Sequence, residues 1–258
     1  MQVTIFKTQV LTPNIVKILE QMLLQIGSER DGGLSNVDLL QNCICVFKEC
    51  GVYQHFEEQM LNDTAKYYKK EALKYLADSS CSDYLKIAEK RLEIENKIAD
   101  NYIEHANKSR LIETFIREFI ENHSENILEK GTGVNFMIEN KHFSDLRILF
   151  KLFKTNQGSL DKFRRKVKEF VIRKGSLIMK EENFIPSALS LREEMSELLA
   201  VSFNKEYTMD TCINDAFSEF INHHPMVVQQ LCNFIDKSLR DPKQEKIEGL
   251  QLFYHIRD

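Results

Sequence analysis

The stretch Tyr67–Ile98, YYKKEALKYLADSSCSDYLKIAEKRLEIENKI, decides the fold. Met60, Thr64, Tyr67, Glu71 and Tyr75 fall on one line, and Leu61, Tyr68, Ala72 and Leu76 fall on the neighbouring one. This is the period of a helix with a broad buried face, whereas a strand would alternate. In the polar break from Ala77 to Asp83, Ser80 or Ser82 can accept hydrogen bonds from the free N–H groups of the next helix's first turn. Tyr84, Leu85, Ala88, Leu92, Glu95, Ile98 and Tyr102 then restart the same period. Each arm of such a hairpin carries an apolar stripe that it cannot bury alone, so further helices must pack along it.

The composition supplies those helices. Of 258 residues, 43% are hydrophobic, enough for a core, while 9 Gly and 4 Pro are too few for the turns of a many-stranded protein. A net charge of −4 and a pI near 6.0 create no global field for nucleic acid or anionic lipid. Six cysteines lie at irregular intervals, and the opening MQVTIFKTQV lacks the basic region, apolar run and cleavage site of a secretory signal. No apolar run approaches the roughly 18 residues of a membrane span. The expectation is a reduced protein of the cytoplasm and/or nucleus, with no membrane segment.

Upstream of the hairpin, Val3 to Val10 opens the chain. Thr12-Pro13 is expected to cap and start a helix with Ile15, Ile18, Leu19, Met22, Leu23 and Ile26 inward, ended by Gly27 and the Arg30-Asp31-Gly32-Gly33 turn. Ser35, with Asp38 three residues on, opens a third helix that buries Val37, Leu40, Ile44 and Phe47 and stops at Gly51. Downstream, Leu111, Ile112, Phe115, Ile116, Phe119 and Ile120 mark an apolar helix expected to continue past His123 to Leu128. Lys130-Gly131-Thr132-Gly133 is the seam between two helical units, 1–130 and 131–258. The second unit has a short turn from Val134 to Ile138 and a helix capped by Ser144 that carries Leu146, Leu149, Phe150 and Phe153. A stripe of Leu160, Phe163, Val167, Phe170 and Val171 follows and stops at Gly175, before a loop from Ser176 to Pro186. Later stripes centre on Leu191 and Leu198, on Ile213 and Phe217, and on Val228 and Leu231 after Pro225; Lys246 to Asp258 ends inside a helical pattern.

Chemistry finds little purchase in this pattern. Cys43, Cys45 and Cys50 with His55 have metal-like composition, but Cys45 points roughly 200° away from its neighbours on a helix, so packed thiols are expected. His223 and His224 read as imidazoles beside a helix C-terminus rather than an acid–base pair. Lys162, Arg164, Arg165, Lys166, Lys168, Arg173 and Lys174 lie opposite Phe163, Val167 and Phe170, where solvated charge is expected, and no nucleic-acid motif accompanies them. Glu93, Glu95, Glu104, Glu113, Glu118 and Glu121 have the regular spacing of surface charge. No phosphate loop, nucleophile elbow or zinc-protease motif is present. The expectation is a protein without catalytic residues, metal or cofactor.

The order Tyr67-Tyr68, Glu71, Leu76, a Ser-rich corner, Tyr84-Leu85, Arg91-Leu92 and Glu95 resembles the second helical repeat of cullins, the elongated scaffolds of ubiquitin ligases. SDLRILFKLF (144–153), SFNKEY (202–207), DAFSEFIN (215–222), LCNFIDKSLR (231–240) and LFYHIRD (252–258) occur in the order of the third cullin repeat and the start of the following bundle, so the resemblance covers nearly the whole chain. It implies an elongated all-α stack of two cullin-repeat-like units. It also implies a scaffold that spaces the substrate-adaptor end from the catalytic end, with ligase adaptor and RING-box subunits as partners. Both docking regions are expected to lie largely outside this stretch. A helical tethering or adaptor protein unrelated to ubiquitin is the alternative.

Overall fold

The computed structural model describes residues 2–182, 184–222 and 225–240, and every regular element among them is helical. The chain divides after Ser124 into two compact units, upstream of the glycine-rich seam. His223, His224 and residues 246–258, including the LFYHIRD match, lie outside the described residues.

The first unit comprises α1 (Gln2–Phe6), α2 (Thr12–Arg30), α3 (Val37–Glu49), α4 (Tyr53–Asp78), α5 (Cys81–Tyr102) and α6 (Lys108–Phe119). Helix α2 does start at Thr12-Pro13, but Thr12 does not cap a free helix end. A π-helical turn, Lys7–Leu11, joins α1 to α2 without a break. Pro13 cannot donate to the carbonyl four residues back and its ring crowds that oxygen, and a wider turn relieves both problems. The Thr12 N–H and Oγ1 both donate to the Lys7 carbonyl, and Asn14 Nδ2 donates to that of Val10 at 2.8 Å.

Helix α2 also runs through Gly27 and stops at Asp31. Gly32, at φ 81°, donates to the Glu29 carbonyl and Gly33 to that of Ser28, a Schellman closure that needs the left-handed backbone glycine tolerates. Asn36, rather than Ser35, caps α3 by accepting the Leu39 N–H at 3.0 Å. Of the two serines offered for α5, Ser80 accepts the Asp83 N–H at 3.1 Å. The α6 stripe does not continue unbroken to Leu128. Tyr84 Oη donates to the Phe119 carbonyl, and the His123 N–H bonds to Ile120 instead, so the chain breaks into a 3-10 turn, Glu121–His123, before α7 (Ser124–Glu129).

Two apolar centres fill this unit. Ile26, Phe47, Phe56, Met60 and Ile98 are buried in the cluster formed by α2 to α5. Where α6 packs on α4 and α5, an aromatic row forms: Phe115 meets Tyr68 edge-on at 4.7 Å and stacks on Phe119 at 5.5 Å, and Phe119 stacks on Tyr84 at 4.9 Å.

The second unit comprises α8 (Val134–Glu139), α9 (Phe143–Phe153), α10 (Gln157–Ile178), α11 (Phe184–Ser202), α12 (Tyr207–Asn222) and α13 (Val227–Arg240), with most of α7. His142, not Ser144, precedes α9, and Asn156 caps α10 through the Ser159 N–H at 3.0 Å. The SFNKEY stretch turns the chain: Ser202 Oγ donates to the Phe143 carbonyl, Asn204 and Lys205 adopt positive φ, and Glu206 accepts the Met209 N–H ahead of α12. Burial opposes the Glu206 charge, but hydrogen bonds from Thr208 and Met209 hold its carboxyl below the usual range. Phe203 packs against Phe150 at 5.2 Å and Phe163 at 5.6 Å.

Gly175 does not stop α10, which continues to Ile178 and shortens the expected loop. The glycine is needed for packing: a Cβ there would sit 2.3 Å from a ring carbon of Phe220 on α12. Helix propensity alone would make Gly175→Ala stabilising by about 1 kcal/mol. Forcing α10 and α12 apart should reverse the sign, with a net loss of about 1–3 kcal/mol. A raised denaturation midpoint would show that the Phe220 ring yields without cost.

Candidate functional site

The most polar point of the first unit lies inside it. Two of the residues that occupy α4's buried line, Thr64 and Tyr68, leave polar groups among apolar neighbours, and α5 adds Glu95 within its own apolar stripe. The partner they need is Arg30, the last residue of α2, whose side chain is 0% exposed. Its Nε donates to Glu95 Oε1 at 2.7 Å, Nη1 to Asp63 Oδ2 at 2.8 Å and Nη2 to Thr64 Oγ1 at 2.5 Å. Tyr68 Oη donates to the same Glu95 oxygen at 2.8 Å. Tyr67 and Tyr68 present ring centroids 5.4 and 5.8 Å from the guanidinium carbon.

A second arginine closes the arrangement from outside. Arg91 donates to the Arg30 carbonyl at the end of α2, and its Nη2 pairs with Glu71 at 2.7 Å. Tyr67 Oη donates to Asp31 at 2.6 Å. Three helices are therefore joined through hydrogen bonds that a residue of different length or shape would not make.

The protonation states are fixed by the surroundings. Burial works against the Arg30 charge, but Glu95 together with Tyr68 and Asp63 outweighs it and raises the pKa. Burial, reinforced by the Glu95 charge, pushes the Tyr68 hydroxyl up far beyond the usual phenol range, and burial raises Tyr67 and Tyr84 as well. These hydroxyls stay donors. The site orients and locks; Tyr68 has no accessible deprotonated form with which to act as a base.

Tyr67, Tyr68, Glu71, Arg91 and Glu95, all singled out in the sequence, meet in this network. Glu95 is fully buried, so it leaves the set of surface carboxylates to which its spacing assigned it, because Arg30 compensates its charge. Arg30 itself was placed in a turn. The signal that could have found it is the polar set Thr64, Tyr68 and Glu95 on lines otherwise apolar, which demands a buried counter-charge.

The remaining sequence candidates do not converge on a centre. Cys43 is half-buried, Cys45 exposed and Cys50 buried, and His55 is exposed. Among the described residues, no group of three His, Cys, Asp or Glu side chains is placed to hold a metal ion. The basic segment of α10 is paired along its length: Lys162 with Glu125, Lys166 with Glu129, Lys168 with Glu219, and Arg173 and Lys174 with Glu139. Arg164 and Arg165 pair within the helix with Asp161 and Glu169. Hydrogen bonds that Lys166 donates to Glu129 and Lys168 to Glu219 raise the pKa of each lysine. This cationic stripe fastens α10 to α7, α8 and α12. No helix among the described residues is long and apolar enough to cross a membrane.

Two surface grooves flank α2. One, between α2 and α4, is lined by Glu20, Leu23, Leu24, Asp31, Asp63 and Tyr67. The other, against α3, has an apolar floor of Ile18, Met22 and Leu40 with Gln21, Gln25 and Asn36 at its edge.

Comparison with known proteins matches residues 1–252 to the family model described as the Cullin alpha solenoid domain. Cullin-3B of Arabidopsis thaliana is 25% identical over 235 residues, covering 87% of this chain and 32% of that protein. Cullin-4 of Dictyostelium discoideum is 26% identical over 229 residues, covering 87% and 28%. Cullin-4A of Homo sapiens is 24% identical over 253 residues, covering 95% and 33%. The chain spans about a third of the length of these curated relatives.

Proposed function

The chain belongs to the cullin family, and on that footing we propose that it acts as a non-catalytic scaffold segment of a cullin-RING ubiquitin ligase. Its role in ubiquitin-dependent degradation is to space the substrate-adaptor end from the catalytic end of an assembly whose other parts are ligase adaptor and RING-box subunits, both docking regions lying largely outside this stretch. The family match over residues 1–252 carries this reading. The interior supports it: Arg30, Glu95, Thr64 and Tyr68 are used up in holding helices to one another, which suits a part that transmits position. Six cysteines that form no disulfide fit a reducing cytoplasm or nucleus, the location included in the proposal.

A chimera tests it. Residues 1–252 replace the matched segment of a curated cullin, and ubiquitin transfer to substrate is measured in the reconstituted ligase. The expected result is a complex that assembles and keeps its rate within about tenfold of the parent, a barrier change of about 1.4 kcal/mol. A folded, assembled chimera that leaves substrate unmodified would exclude the spacer role.

A further inference from the structure

We propose that the groove between α2 and α4 is a docking site for a basic amphipathic helix of a partner protein. Leu24, beside Leu23 in the groove's lining, is 66% exposed. Glu20 and Asp31 stand at the two ends of the α2 wall, and Asp63 stands on the α4 wall, one turn from Tyr67. Among the described residues, no lysine or arginine side chain lines the groove. Arg30 is buried beneath it and already divided between Glu95 and Asp63. Arg91, 5.8 Å from the Tyr67 ring centroid, is paired with Glu71, so the three lining carboxylates Glu20, Asp31 and Asp63 leave the surface negative around an apolar centre.

The geometry sets the shape of the occupant. Glu20, Leu23, Leu24, Gly27 and Asp31 follow a helical spacing along α2, and Asp63 and Tyr67 do so along α4, so two ridges bound a trough of the kind that receives a helix. Eleven residues separate Glu20 from Asp31, about 16 Å at the rise of an α-helix. A matching helix carries lysine or arginine about three turns apart, with leucine or methionine between them. Gly27 keeps the floor open: a Cβ there would meet no atom within 4 Å. Asp31 accepts from Tyr67 and Asp63 from Arg30, yet each carboxylate keeps lone pairs for a second donor. This surface is independent of the scaffold role and adds a partner to it.

The probe is a fluorescein-labelled 14-residue helical peptide of lysine and leucine, titrated with the full chain and read by anisotropy. Binding should weaken by about tenfold or more with Glu20→Lys, with Leu24→Asp and with Gly27→Leu, and should be unchanged with Leu73→Asp, which alters a leucine 56% exposed elsewhere on the same unit. Gly27→Leu fills the trough with a better helix former, so its effect cannot come from unfolding. The proposal is overturned if the peptide does not bind or if Leu73→Asp weakens it equally. It also fails if a peptide with serine in place of leucine binds as well, which would leave only general attraction between opposite charges.

Discussion

Arg30→Ala is expected to cost the protein about 3–5 kcal/mol, because it leaves a charge buried without its partner. Of its described hydrogen bonds Glu95 would keep only the one from Tyr68, at a fully buried position. Thr64 and Asp63 would lose their donor as well. Arg30→Lys should recover only part of the loss, since an ammonium cannot reach Glu95, Asp63 and Thr64 with the fixed fork of a guanidinium. The informative variant is the double substitution Arg30→Met with Glu95→Leu. Removing both charges together removes the desolvation penalty that either single change exposes, so the double variant should be more stable than Arg30→Ala, and could approach the parent. Urea denaturation of the parent and these three variants measures the outcome. If Arg30→Ala unfolds at the parent's urea concentration, the network contributes nothing to stability.

Phe115→Ala should have an effect of similar size by a different route. The ring is 0% exposed and lies between Tyr68 and Phe119, so truncation opens a cavity worth about 3–5 kcal/mol. Tyr68 links the two predictions: it packs against Phe115 and donates to Glu95. The two losses should therefore fail to add, with a coupling of about 0.5–3 kcal/mol, as expected for residues sharing a partner. Phe217, 1% exposed in the second unit, is the control site. Phe217→Ala should destabilise strongly but add to Arg30→Ala without coupling. An unchanged melting temperature for Phe115→Ala would remove the aromatic row from the account of what holds α6 in place.

The sequence carried most of the helices because burial has a period. The lines through Met60 and Tyr68 and through Leu85 and Ile98 face inward as read, and Ser80 takes the capping role from the pair of serines offered. Three things were not legible. Arg30 stands beside Asp-Gly-Gly and reads as part of a turn, since its partners Asp63 and Glu95 lie 33 and 65 residues away. Gly175 reads as a stop because a glycine in a helical pattern signals an end or a close approach, and only the position of Phe220 decides between them. The break after Phe119 depends on a hydroxyl from another helix, which local periodicity cannot contain.

The widened turn at Lys7–Leu11 bears on how related chains are to be aligned. A turn of that kind takes up one surplus residue, so the side chains before and after it can face the same neighbours as in a relative lacking that residue. A deletion at this point would leave Leu11, Leu19 and Met22 in their places. A gap in the middle of a helix, ordinarily a mark of misalignment, is physically sound here.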